Sequence, residues 1–265
     1  DPHREGGGRS EVLSTYNYDH DDGIWALGTD MDSTFLQYID ADGTTNYKAS
    51  KDLTFITTSK RTYGNADNAE GWYCVNSDVD FSSIVTFKDQ QANIILCDGF
   101  TLNSNTTKIE CAISADNGSL TIYGQTLGTG TLTVGTNGSL LCVSKSVSSP
   151  MTNSSFAING TLQVGINNMA YSGYTHFNNK NVTFGAKSRL ILGLRKSIGT
   201  STAPNNAYLL GISTLKITSG ATIAPMLIST YVPTTDPANP DKFVLCTDVK
   251  TANVGTLNFE LPELP

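Results

Sequence analysis

The chain has 265 residues, with 24 Gly, 9 Pro, 15% charged and 9% aromatic residues and a formal charge of −7, enough to bury a core as one large domain or two small ones. No run approaches the roughly 18 consecutive apolar residues of a membrane-spanning helix, and few segments hold a helical apolar period over three turns, so neither a transmembrane segment nor a helix bundle is expected. A soluble, β-rich protein is the expectation.

The charge is unevenly spread. Residues 1–116 hold 19 carboxylates against 8 Lys or Arg, residues 117–235 hold none against 7, and residues 236–265 hold 5 against 2. The middle therefore cannot supply the paired carboxylates of glycosidases or aspartic proteases, and such chemistry would have to come from the ends. Its positive balance suits an anionic polymer such as a sulfated or sialylated glycan, and suits simple solubility as well. The opening Asp1-Pro2-His3, with neither an initiator Met nor a leader-like apolar run, reads as a mature or trimmed chain.

Residues 1–70 are acidic, with Trp25, Phe35, Tyr38, Tyr47 and Phe55 at irregular spacing. They are expected to form an acidic N-terminal cap or lobe, as the open end of a stacked β structure requires. The densest ionisable cluster of the chain lies here, at Asp19-His20-Asp21-Asp22-Gly23. Crowded carboxylates ionise unequally, so one of them can act as an acid while another activates water, with His20 beside them. Asp21 is the first choice for an essential residue, Asp19 shares its face of an extended strand, and Asp22 completes the set. A solvated acidic turn explains the same cluster. Asp40-Ala41-Asp42-Gly43 offers hard oxygen ligands to calcium, with Asp40 and Asp42 as the candidates. The EF-hand pattern is incomplete, because Thr44 and Lys51 stand at its fifth and twelfth positions. No other cofactor is expected.

Residues 71–231 form a repetitive segment. Short apolar alternations follow Asp-Gly or Asn-Gly turns in CDGFTL, DNGSLTI, TNGSLLCV and INGTLQV, whose glycines 99, 118, 138 and 160 lie 19, 20 and 22 residues apart. A period near 20 with one patterned strand per unit indicates a coil stacked on itself. Leu120, Ile122, Leu132, Val134, Leu140, Leu162 and Val164 are the expected inward residues, and the turn glycines supply the positive φ of tight corners. Looser strands follow at 181–185, 188–193 and 215–228. The fold class is therefore all-β: a β-solenoid, parallel β-helix-like, with the acidic cap, the alternative being an antiparallel β-sandwich, since Asn-Gly also makes hairpins. Residues 232–265 comprise a proline-rich loop, VPTTDPANPD, and two C-terminal strands in KFVLCTDV and TLNFEL.

The run WYCVNSDVDFSSIVTF, followed by ANIILCDGFTL and SLTIYGQTLGTGTLTV, resembles the β-solenoid and autotransporter-passenger-like surface proteins of gut bacteria over roughly residues 71–165. The chain is also similar to a secreted mucin-degrading protein of the mucus dweller Akkermansia. These resemblances imply a secreted or cell-surface location and a mucin or other host glycoprotein as partner. They further imply an aspartic-type peptidase activity, carried onto Asp19, His20, Asp21 and Asp22, although the sequence has no Asp-Thr-Gly or Asp-Ser-Gly loop.

A glycan site needs flat apolar rings beside polar side chains, and NMAYSGYTHFNNK at 168–180 gathers Tyr171, Tyr174, His176 and Phe177 in a loop-like stretch. Core packing of some of these rings is the competing reading. Nucleic acid is not an expected partner, given a pI near 4.9 and no basic-aromatic stripe. The three histidines lack zinc spacing. The five cysteines lack CxxC spacing and mostly sit in apolar runs as small hydrophobes; their odd number leaves at least one unpaired and one or two bridges open. The expected function is engagement of mucin-type glycoproteins at the mucosal surface. Aspartic-type proteolysis of mucin and a structural passenger fragment are the alternatives.

Overall fold

The computed structural model describes residues 16–19, 24–27, 30–65, 67–83, 85–103, 108–113, 119–134, 139–144, 155–164, 174–194, 206–227 and 243–260. It is all-β with long parallel sheets; among the described residues the single helical element is a 3-10 turn, Ser50–Asp52. Four N-terminal strands, β1 (Tyr16–Asp19), β2 (Ile24–Leu27), β3 (Asp30–Ile39) and β4 (Thr45–Ala49), form an antiparallel meander. The β3–β4 turn closes through Asp40 N–H to Thr44 O (2.8 Å) and Gly43 N–H to Asp40 O (2.9 Å), with Gly43 at φ +87°.

Among the described residues nineteen strands follow, β5 (Thr54–Phe55), β6 (Thr62–Tyr63), β7 (Glu70–Val75), β8 (Val79–Asp80), β9 (Val85–Phe87), β10 (Gln91–Leu96), β11 (Thr101–Asn103), β12 (Lys108–Ile113), β13 (Ser119–Tyr123), β14 (Thr131–Val134), β15 (Ser139–Ser144), β16 (Ser155–Asn159), β17 (Thr161–Val164), β18 (Tyr174–Phe184), β19 (Arg189–Leu194), β20 (Tyr208–Ile217), β21 (Thr222–Leu227), β22 (Thr251–Val254) and β23 (Asn258–Phe259). Every pairing among these strands is parallel. A first ladder joins β5, β7, β10, β13, β16, the second halves of β18 and β20, and β22. A second joins β8, β11, β14, β17, β19, β21 and β23. A third joins β6, β9, β12, β15 and the first halves of β18 and β20. From β7 onward the chain visits the ladders in strict rotation. One circuit takes from 21 residues (Glu70 to Gln91) to 37 (Thr214 to Thr251).

This rotation corrects the period read from the sequence. The four glycine-led units fall on the second, first, third and second ladders in turn, so the interval near 20 spans two strands of a three-strand circuit. Among the described residues, antiparallel pairing, which a sandwich would need, is confined to β1–β4 and one isolated bridge, Leu194 to Asn206.

In-register neighbours repeat along each ladder, so one sequence alternation builds continuous interior columns. Tyr73, Ile94, Ile122, Ile158, Phe184 and Ile217 stack across the first ladder, and Leu102, Leu132, Leu162, Leu190 and Ile223 across the second, all at most 3% exposed. Each such side chain contributes about 1.5–3 kcal/mol of burial. The expected inward residues Leu120, Ile122, Leu132, Leu162 and Val164 are buried in this core; the side chains of Val134 and Leu140 lie outside the described residues. The C-terminal strands β22 and β23 extend the first and second ladders, whereas 243–249 contributes only the bridge from Cys246 to Leu209. Residues 232–241 lie outside the described residues.

The opposite face of the first ladder is covered as well. Cys74, Ile95 and Tyr123 alternate with the interior residues and pack with Leu36, Tyr38 and Trp72 into a second cluster. The β3 strand and its turn are fastened there by Ile39 N–H to Gly124 O (2.9 Å), Gln125 Nε2 to Gln37 O (2.9 Å) and Ala186 N–H to Ala41 O (2.9 Å). The β3 strand and its turn therefore lie along the flank of the first ladder. Residues 54–63 already pair within the ladders, β5 with β7 and β6 with β9. Two strands of two residues each are too short to show an alternation.

Candidate functional site

A pocket of about 390 Å³ opens where the β3–β4 hairpin meets the first circuit, lined by Lys48, Asp52, Lys60, Asn68, Glu70 and Trp72 over a buried layer that includes Tyr73 and Asp89. Its position follows from the chain path. Lys48 comes from β4, Asp52 from the turn after it, Lys60 from the β5–β6 connection, and Glu70 and Trp72 from β7.

Asp89 anchors the layer beneath. It is fully buried and accepts from the Tyr73 hydroxyl, Asn68 Nδ2 (2.9 Å) and Asn65 N–H (3.2 Å). Room for this carboxylate exists because positions 64 and 71 are glycines, where a Cβ would run into Asp89 Oδ2, and Gly64 also adopts φ +74°. Buried charge needs such a donor set. On the wall, Glu70 Oε1 accepts from Asn93 Nδ2 (3.1 Å).

The ring of Trp72 is already engaged. Tyr123 stacks on it at 5.4 Å and 15°, Tyr38 tilts against it at 5.2 Å, and Lys48 Nζ stands 4.7 Å from its centroid. Lys60 Nζ stands in the same way over Tyr63, at 4.8 Å. Burial, reinforced by the Asp40 and Glu70 carboxylates, raises both the Tyr38 and Tyr123 phenols, so they serve here as neutral groups; Tyr123 donates to Asn93 Oδ1 (3.3 Å). The pocket thus presents ammonium donors, carboxylate acceptors and an amide, with its aromatic surface taken up by its own neighbours.

Of the residues expected from the sequence, none of the described side chains lines this pocket. Asp19 ends β1, opposite Ile24; its side chain, and all of His20, Asp21 and Asp22, lie outside the described residues. Asp40 and Asp42 shape the β3–β4 turn: Asp40 Oδ1 accepts from Ala41 N–H (2.7 Å), and Asp42 Oδ1 accepts from Thr44 N–H (2.8 Å) and Thr44 Oγ1 (2.7 Å). Those Thr44 bonds lower the Asp42 carboxyl. Among the described residues no three His, Cys, Asp or Glu side chains converge as metal ligands would, and no helix is long and apolar enough to cross a membrane.

Phe177 is a correction. It is fully buried and packs edge-on against Phe156 at 5.6 Å, so it is a core residue and not a glycan platform. The stretch read as a loop is, from 174 on, part of β18, in which Tyr174 pairs with Tyr208 and His176 with Ser139 and Leu210. The side chains of Tyr174 and His176, and all of Tyr171, lie outside the described residues. Cys74 and Cys97 are buried, as their apolar runs imply; Cys74 is a free thiol and Cys246 is a half-buried one.

The chain matches no protein-family model, no curated protein and no solved structure. The pocket chemistry therefore has to speak for itself. Sequence reasoning did not reach it, because Lys48, Lys60 and Glu70 belong to no motif and meet only through the hairpin's seat on the first circuit. The spacing of Gly64 and Gly71 around a later buried aspartate is the one local signal.

Proposed function

We propose that this chain is a β-solenoid module of the bacterial cell surface or its secretions that engages mucin-type glycoproteins, with the hairpin pocket as its sugar site. The solenoid reading is supported by the rotation of the chain through three parallel ladders that share one apolar core. The surface location and the glycoprotein partner rest on the resemblance and on the Thr-, Ser-, Asn- and Gly-rich composition.

The observation that carries the sugar reading is the wall chemistry of the pocket. Carboxylate acceptors at Asp52 and Glu70, the amide of Asn68 and the ammoniums of Lys48 and Lys60 surround a space of about 390 Å³, within the roughly 300–1,000 Å³ of small-molecule sites. Such mixed, closely set donors and acceptors match vicinal hydroxyls better than they match an apolar ligand.

The test is retention of purified protein on immobilised mucin, wild type beside an Asn68→Ala/Glu70→Ala double variant and an Asp21→Asn variant, with soluble mucin fragments followed over time. The expected result is retention by wild type and Asp21→Asn, a loss of about tenfold or more in the pocket variant, and intact mucin throughout. Fragment release abolished by Asp21→Asn would replace this reading with proteolysis by the Asp19–Asp22 cluster. Unchanged retention in the pocket variant would move the site elsewhere.

A further inference from the structure

We propose that the pocket selects an acidic sugar, one bearing a carboxylate or a sulfate ester, through the Lys48 and Lys60 ammoniums; this rests on the glycoprotein reading above and names its ligand class.

Two observations carry it. Lys48 and Lys60 arrive from separate elements, yet each stands over an aromatic ring, Trp72 at 4.7 Å and Tyr63 at 4.8 Å. Neither makes an ion pair with a described residue, although Asp52 and Glu70 line the same walls. Cation–π contact holds each long side chain in place while its ammonium keeps its hydrogen-bonding capacity. Part of the entropy of ordering two lysines is thereby spent before a ligand arrives.

The carboxylates narrow the class further. Asp52 and Glu70 repel a bare polyanion, and they give the hydroxyls of a sugar their acceptors. A ligand with one negative group and several hydroxyls satisfies both sets; inorganic sulfate satisfies only the lysines. Because Tyr123 and Lys48 already occupy the Trp72 ring, binding draws on charge and hydrogen bonding more than on stacking, and it weakens as salt is added.

Calorimetry at low ionic strength with 3′-sialyllactose, lactose 6′-sulfate, lactose and sodium sulfate tests this. The variants are Lys48→Met/Lys60→Met, which keeps an unbranched stem over each ring, and Lys48→Arg/Lys60→Arg, which keeps the charge. Wild type and the Arg variant are expected to bind at least one acidic sugar about tenfold more tightly than lactose. The Met variant is expected to lose that preference and to bind no acidic sugar more tightly than lactose, with an unchanged circular dichroism spectrum. The acidic sugar that binds tells carboxylate from sulfate recognition. Equal binding of acidic and neutral sugars by wild type, a preference that survives in the Met variant, or full competition by sodium sulfate overturns the inference and leaves the glycoprotein reading standing. Absence of binding to every sugar and to mucin overturns both.

Discussion

Replacing Gly160 by Ala places a Cβ 2.7 Å from Gly124 N, 3.0 Å from Tyr123 C and 3.1 Å from Gly124 Cα. All three atoms are backbone, so no side chain can rotate away. Reaching the ordinary contact distance of 3.4 Å from the nearest of them requires the β13 and β16 corners to part by about 0.7 Å. Forced separation in close-packed structure costs about 1–3 kcal/mol. Gly99, which occupies the equivalent place in another Asp/Asn-Gly turn, has nothing within 4 Å of its Cβ position but adopts φ +88°. Gly99→Ala therefore carries only the backbone penalty of a left-handed L-residue, about 1–2 kcal/mol. Asparagine separates the two causes, because it tolerates positive φ but is larger than alanine. Gly99→Asn is expected to recover part of the Gly99→Ala loss, whereas Gly160→Asn is expected to exceed Gly160→Ala. Urea unfolding followed by tryptophan fluorescence, with a common m-value, reads all four. If Asn is milder than Ala at position 160, or harsher than Ala at position 99, the division into a crowded corner and a left-handed one is wrong.

Leu120→Ala and Ile122→Ala, each emptying a fully buried site, are expected to cost about 2–5 kcal/mol in the same assay, against less than about 0.5 kcal/mol for Leu127→Ala, whose side chain is 67% exposed. Arg189 grips Glu260 through Nε (3.0 and 3.1 Å) and lowers its carboxyl below the ordinary range. The pair's stability is therefore present above the unfolded carboxyl value near 4.5 and is lost as pH falls through the lower folded value. Both groups are partly exposed, so Glu260→Gln should cost under about 1 kcal/mol at pH 7, and progressively less as pH falls below about 4.5. Burial pushes the Cys246 thiol up to about 12 from 9.0, leaving about 1,000-fold fewer thiolates at pH 8 than in the unfolded chain. Mass-mapped alkylation should be slower by at least about a hundredfold in native protein than in urea, and equal rates would show that the thiol is open to solvent.

Legibility in the sequence followed the range of the interactions. Strands such as β10, β13 and β17 were plain because an inward column needs an apolar residue at every second position, and that is a local rule. The circuit length was not plain, because turns of the same Asp/Asn-Gly chemistry serve all three ladders and only every second corner carries the dipeptide. Phe177 was misread because β18 runs from one ladder into another with a register shift between His176 and Asn181, which breaks the alternation that would have marked its ring as interior. The pocket was illegible for a stronger reason: its walls come from β4, the β5–β6 connection and β7, and nothing local ties Lys48 to Glu70.

The β3–β4 hairpin also bears on the order in which the molecule can assemble. Its strand and turn are seated by Gly124, Gln125 and Ala186, groups that leave the ribosome some 85 to 145 residues after their partners Ile39, Gln37 and Ala41. A simple stack grows by adding each circuit to the last, and its earliest residues settle first. Here the earliest strands have to wait, and their docking couples circuits that would otherwise fray one at a time into a single cooperative unit.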